Sequence, residues 1–364
     1  MRKIAIIDAD LIGRKKHSFP NLTCMKFSGW HKNHGDDVVL KMDYEHLEEF
    51  DTVYISKVFK DTPYPIEALR SKNVHYGGTG FYAPLRDKLP NDIEHYMPDY
   101  HLYDEYVTAQ VAKGRKMKSY TDYSIGFLTR GCFRGCEFCV NKNSKEVREH
   151  SPLSEFLDES RRKICLLDDN FLGCPKWKEL LEGLIATGKR FVFKQGLDAR
   201  LLTDEKCQML FNATKYDGDY IFAFDDVGDY ELIEKKLQLI RKYTSTKSIK
   251  FYVLCGFDRE GKYDTAFWLN DIHSIFVRID LLAKYQAKPY LMRYEKAYKS
   301  KFSGMYTVLA NWINYPPAFA KQSLNEFVAA SIKQTNSYTR YLTEFKREYP
   351  NLGKGWFNWK YERR

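Results

Sequence analysis

Between residues 123 and 293 the chain alternates short apolar runs with helical stretches, and this alternation limits its possible folds more than any other feature. Strand candidates fall at 123–128, 163–168, 190–195, 218–224, 249–255 and 288–293. Helix candidates between them include Pro175–Thr187, Thr203–Ala213, Asp229–Tyr243 and Asp264–Tyr285. Pro175 and Thr203 suit helix starts, because the first turn needs no N–H from proline and leaves N–H groups that a threonine oxygen can accept. Six β/α units of this kind predict an α/β fold with a parallel barrel over 122–295. In such sheets and barrels ligands gather at the carboxyl ends of the strands, where the loops converge.

The flanking segments read differently. Residues 1–100 predict a small α/β unit. Lys3–Ile7 is a continuous apolar run, as in a strand buried on both faces. Asp36–Leu40 and Asp51–Ser56 are further strands, Phe19–His34 is a helix, and His75–Gly80 places three glycines just past a short strand. A Gly-rich turn there lines a phosphate in some proteins and is only a turn in most. Residues 101–121, with the basic run Lys113–Lys118, predict a linker, and 296–364 a mostly helical, basic and aromatic extension.

Three cysteines, Cys132, Cys136 and Cys139, follow the first barrel strand in a C-x3-C-x2-C loop. Gly131 and Gly135 give it the backbone freedom to wrap three side chains around one centre. Three thiolates so close in sequence can hold three irons of a four-iron cluster and leave the fourth open. Zinc is the plainer reading, but it wants a fourth protein ligand at comparable spacing, and the nearest candidate is His150. The loop resembles that of the radical S-adenosylmethionine enzymes, whose pattern sets an aromatic residue before the third cysteine, as Phe138 is here. The resemblance implies a partial (β/α)6 barrel, a [4Fe-4S] cluster and S-adenosylmethionine chelated at the open iron. Reductive cleavage then yields a 5′-deoxyadenosyl radical, with an external electron donor of flavodoxin or ferredoxin type.

The N-terminal unit resembles the Rossmann-like, cobalamin-binding-like domain that precedes many such barrels. Those binders carry Asp-x-His-x-x-Gly to ligate cobalt. His17 lies near the expected place without the Asp or the Gly, so cobalamin is not expected.

The predicted strand ends supply the remaining candidates. Leu166-Leu-Asp-Asp-Asn-Phe171 is similar to the Asp-Asp-Asn-Phe signature of the family's members with a cobalamin domain, and makes Asp168, Asp169 and Asn170 candidates for the methionyl ammonium group. After the third strand, Arg200 suits the methionyl carboxylate, while Gln195 and Asp198 suit substrate or ribose; an Asp198–Arg200 surface pair is the alternative. Asp225 ends the fourth strand, where related enzymes often show a glutamate. Gly256 ends the fifth and would let backbone approach the adenine.

Composition bears on compartment and partner. Eight cysteines without a disulfide framework, and no long apolar stretch, fit a cytoplasmic protein with no membrane segment. Net charge is +10, and from Lys288 to Arg364 there are 14 Lys and Arg against five acids, with 17 aromatics. Lys354, Lys360, Arg363 and Arg364 interleave with Trp356, Phe357, Trp359 and Tyr361. That pattern suits a nucleotide or nucleic-acid substrate, with a peptide or small metabolite as alternative; equally, the aromatics pack on the barrel. A non-catalytic metal-binding module is the rival of another class, although a structural site needs no polar strand ends.

Overall fold

The computed structural model describes every residue except 16, 82–88, 213–214, 332–335 and 362–364. It divides into two compact units. One comprises Met1–Arg130, Arg148–Asp168 and Thr187–Phe191; the other comprises Gly131–Val147, Asp169–Ala186 and Val192–Arg364.

The first unit opens with β1 (Lys3–Asp8), α1 (Ala9–Gly13), α2 (Leu22–Asn33), β2 (Asp37–Leu40), β3 (Thr52–Ser56) and β4 (Val74–Gly77). These strands form a parallel sheet in the order β2-β1-β3-β4. The apolar run of β1 is explained by its place inside that sheet. Ile4 and Ile6 enter one buried cluster with Cys24 and Met25, and Ala5 and Ile7 enter another with Leu47, Val53 and Ile55. The glycines after β4 are used for packing: at Gly78, φ +106, a Cβ would come within 2.3 Å of the Lys57 carbonyl oxygen.

The expected linker is instead part of this core. After α3 (Asn91–Glu94) the chain forms α4 (Asp104–Ala112) and α5 (Lys118–Thr121). Tyr100, Leu102, Tyr103, Met117 and Tyr120 are buried in the cluster that holds Ile4 and Ile6. Only the basic turn between α4 and α5 matches the polar reading, since its apolar neighbours Met117 and Tyr120 point inward. The unit continues with β5 (Tyr123–Gly126), the antiparallel pair β6 (Thr129–Arg130) and β7 (Arg148–Glu149), and β8 (Lys163–Leu166), which pairs with β5 in parallel.

In the second unit come α6 (Trp177–Ala186), β9 (Arg190–Phe193, its first two residues in the first unit), α7 (Asp204–Asn212), β10 (Tyr220–Ala223), α8 (Tyr230–Tyr243), β11 (Ile249–Cys255), α9 (Thr265–Lys284) and β12 (Lys288–Arg293). Thr203 caps α7 by accepting the Lys206 N–H at 3.3 Å. Asp264 caps α9 through the Phe267 N–H at 2.8 Å. Ala213, the expected end of α7, lies outside the described residues. All six expected strands are present, but their ladders are β5-β8-β9 and β10-β11-β12 rather than one continuous sheet. At Gly196, φ +92, the chain turns after β9, and the Leu197 N–H donates to the Ile221 oxygen at 2.8 Å. The first crossover carries no α-helix; the cysteine loop occupies it.

The extension is helical, as expected: α10 (Glu295–Lys299), α11 (Ser303–Ile313), α12 (Pro316–Phe319), α13 (Leu324–Ser331) and α14 (Ser337–Glu348). Its terminal aromatics do not face solvent as a stacking surface. Trp356 stacks on Phe276 of α9 at 5.7 Å, and Phe357 is 3% exposed. Trp359 lies 5.7 Å from Phe319 and donates its indole N–H to Asp280, while Lys360 pairs with Glu326 at 2.6 Å. The nucleic-acid reading of these aromatics is therefore corrected: rings of this area gain more by covering apolar helix faces. Arg363 and Arg364 lie outside the described residues. Among the described residues no helix is long and apolar enough to cross a membrane.

Candidate functional site

The cysteine loop is fastened at its ends by one side chain. Asp169 accepts the Gly131 N–H at 2.9 Å on one oxygen and the Asn141 side-chain amide at 2.6 Å on the other. Gly131 has φ +97, and a Cβ there would come within 2.3 Å of the Glu146 carbonyl oxygen, so no larger residue fits this start. Ser144 closes the loop further, accepting the Cys132 N–H at 3.1 Å. The middle is held by charge. Arg134 donates to Asp198 at 2.6 Å, and Asp198 also takes the Arg200 guanidinium at 2.9 Å. Both arginines hold the Asp198 carboxyl below its ordinary range, against burial.

Two of the three sulfurs already receive N–H donors. The Asn170 amide donates to the Cys132 sulfur at 3.4 Å, and the Asn141 backbone N–H to the Cys139 sulfur at 3.4 Å. Burial pushes the Cys136 thiol up, Arg200 pulls it down, and Asp225, Cys139 and Cys132 push it up again. The three thiols thus share one electrostatic neighbourhood. They are half-buried, whereas the other five cysteines are buried. Among the described residues no three His, Cys, Asp or Glu side chains are yet gathered closely enough to hold a metal ion. The donor set nonetheless fits an iron–sulfur cluster, whose thiolates are commonly stabilised by N–H donors. It suits zinc less, because the nitrogens of His150 face Ser151 and Glu94.

The remaining candidates fall into different roles. Asp168, 1% exposed, is consumed by the Leu128 N–H and by the N–H and hydroxyl of Thr129. It ties down the segment after β5, which corrects its reading as a cofactor contact. Asp198 and Arg200 form the side-chain pair weighed as the alternative, with Arg134 added. Gln195 lies exposed in the turn after β9. Gly256, φ +77, approaches Ala297 of α10, where a Cβ would come within 2.6 Å, so the packing of α10 needs a glycine here. Phe138 sits edge-to-face on Phe257 at 5.3 Å, and Phe257 on Tyr294 at 5.0 Å. Asn170 has a buried side-chain oxygen with no partner. Asp225 accepts only the Leu254 N–H, at 3.3 Å, and burial pushes its carboxyl up.

Sequence reasoning missed the residues that hold these strand ends. Arg278, in the middle of α9 and 1% exposed, donates to the carbonyl oxygens of Phe224 (3.1 Å), Asp225 (3.0 Å) and Leu254 (2.8 Å). Asp271, two helical turns earlier in α9, accepts the Gly256 N–H at 2.8 Å and the Tyr306 hydroxyl at 2.5 Å. A helix alternating Asp, Ser and Arg with aliphatics gives no sign that these are the buried positions.

Burial pushes the Asp168 carboxyl up to about 7, outweighing its three hydrogen bonds. The folded state therefore binds that proton more tightly than the unfolded chain. The resulting stability is complete below about pH 4 and is lost as pH rises through about 7. Asp168→Asn should flatten this part of the stability curve in urea melts between those pH values; an unchanged slope would contradict the assignment.

No family model and no curated protein matches the chain. Among solved structures it is similar to the cobalamin-dependent S-adenosylmethionine radical enzyme OxsB with aqua-cobalamin bound, at TM-score 0.47 and 11% identity over 98% of this chain. The apo, selenomethionine-labelled form of that enzyme gives TM-score 0.46 and 12% identity over 98% of this chain. Streptococcus suis SuiB bound to S-adenosylmethionine gives TM-score 0.34 and 12% identity over 70% of this chain. The match spans 63% of the OxsB chain and 53% of the SuiB chain.

Proposed function

We propose that this chain is a radical S-adenosylmethionine enzyme whose cluster is held by Cys132, Cys136 and Cys139. The observation that carries the reading is the N–H donation from Asn170 and Asn141 to two of the three sulfurs of one glycine-bounded loop. When bound there, a [4Fe-4S] cluster supplies the electron that cleaves S-adenosylmethionine to methionine and a 5′-deoxyadenosyl radical, drawn from an external low-potential donor. The chain's own residues hold and shape the place. Asp169 pins the loop's two ends, and Asp198 with Arg134 and Arg200 pins its middle. Phe138 on Phe257 and Tyr294 covers one side against water. Asp225 keeps an oxygen for a cationic group such as the methionyl ammonium.

Protein prepared without oxygen and supplied with iron and sulfide should bind one four-iron cluster. After reduction it should convert S-adenosylmethionine to 5′-deoxyadenosine. Stoichiometric zinc with no iron would sink the reading and favour a non-catalytic module. Asp169→Ala should fold yet lose iron several-fold faster on desalting. Retention equal to the parent would remove Asp169 from its fastening role.

Cobalamin has no part in this reading. The cobalt-ligating motif is absent: His17 has Lys15 where the Asp would stand and Pro20 where the Gly would stand. Added hydroxocobalamin should wash off the folded protein, and stoichiometric retention would contradict the proposal.

A further inference from the structure

The packing of the terminal aromatics removes one phosphate-binding surface, and the structure offers another in the same unit. An open cavity of about 570 Å³ lies between the start of α9 and α10, lined by Tyr263, Trp268, Lys296, Lys299 and Lys301, with Asp264 and Thr265 at the helix start. That volume is within the range of sites that take one small ligand. Its lysines outnumber its one carboxylate, Asp264. Elsewhere in this unit Lys242, Lys250, Lys284, Lys288 and Lys360 each meet a carboxylate within 3.1 Å. Lys296, Lys299 and Lys301 meet none among the described residues; Lys301 donates only to the Tyr349 hydroxyl, at 3.0 Å. The Asp264 carboxylate, also in the lining, accepts the α9 N–H of Phe267 and makes no ion pair with these lysines among the described residues.

An aromatic platform adjoins the lysines. Lys296 lies 5.7 Å from the Tyr263 ring centroid, and that ring meets Phe267 and Trp268 at 5.6 Å each. Tyr263 is fixed from both sides of its backbone: its N–H donates to Asp258 at 2.8 Å, and its carbonyl accepts the Trp268 indole N–H at 2.9 Å. It holds φ +50, a conformation costly for a tyrosine and of the kind found where a side chain is aimed at a ligand. Tyr263 is half-buried, so part of it stays accessible from the cavity it lines.

We infer that this cavity binds a nucleoside phosphate, the phosphate held by Lys296, Lys299 and Lys301 and the base stacked on Tyr263. Lysines grip phosphate as mobile point charges, and stacking on a tyrosine tolerates any base. Binding itself does not need the cluster. That the bound nucleotide is the substrate rests on the proposed function. The link is physical: Tyr294, the residue just before α10, touches Phe257, which touches Phe138 of the cysteine loop.

The test is calorimetric titration of the full chain, without iron, with guanosine 5′-monophosphate, guanosine and inorganic phosphate. Guanosine keeps the probe away from any site for the adenosyl group. The monophosphate should bind best, with affinity falling as salt rises. Lys296→Gln with Lys299→Gln should weaken it at least tenfold and leave guanosine unchanged; Tyr263→Leu should weaken both. No binding of the monophosphate, or binding indifferent to the lysine pair, would overturn the inference. Phosphate binding as tight as the nucleotide would overturn the base-stacking half. Each of these results leaves the iron content of reconstituted protein free to support or refute the cluster by itself.

Discussion

Alanine at Cys132, Cys136 or Cys139 will each abolish the visible absorbance of reconstituted protein, or leave a labile form with fewer than four irons. The expectation follows from the spacing of three cysteines within one short loop. The three positions are the only cysteines half-exposed in this chain's described residues, and the other five are buried. A lost thiolate therefore has no exposed sulfur among the described residues to replace it. The effect on S-adenosylmethionine cleavage should be complete rather than graded, since three ligands leave none in reserve. Cys165→Ala or Cys255→Ala is the control: both thiols lie inside strands, and burial pushes the Cys255 thiol well up from its ordinary value. A first-loop variant that kept four irons while a strand variant lost them would reassign the site.

The same contrast shows what the sequence makes legible. A strand buried on both faces announces itself as an unbroken apolar run, and β1 falls where such a run lies, whereas β11 and β12 alternate buried with half-buried or exposed residues. The cysteine loop is legible because ligand spacing is local. What stays hidden is the direction of a polar side chain at a strand end. Asp168 and Asp169 are neighbours in sequence and equal in chemistry. One is spent on Thr129 and Leu128, the other on Gly131 and Asn141. Both bond partners lie about 30 to 40 residues away, and nothing in the spacing foretells which N–H each will meet. Aromatic residues mislead for a related reason. Tyr100, Tyr103 and Tyr120, or Trp356 and Phe357, sit among charges that suggest an exposed segment. Yet their ring area outweighs the cost of ordering them, and each packs inward.

Arg278→Met is expected to be the most destabilising single change in the second unit. The side chain is buried, and its guanidinium gathers the carbonyls of Phe224, Asp225 and Leu254, closing the ends of β10 and β11 over α9. Burial works against its charge, while Asp271 and Asp225 favour it. Methionine fills similar space but offers no donor. Three buried acceptors then go unmet, and the Asp271 carboxylate loses its cationic neighbour. Removing one partner from such an arrangement costs about 3–5 kcal/mol, far more than the pair contributes over an apolar equivalent. Lysine should recover only part, because one ammonium on a flexible stem cannot replace the planar fork that reaches three oxygens. Thermal unfolding followed by tryptophan fluorescence should show the methionine variant lowest, lysine between, and the parent highest. The cluster site should suffer with it, since Asp225 and Gly256 lie on the strand ends that Arg278 and Asp271 hold. A methionine variant melting with the parent would mean that the carbonyls find water instead, and that the strand ends do not depend on this arginine.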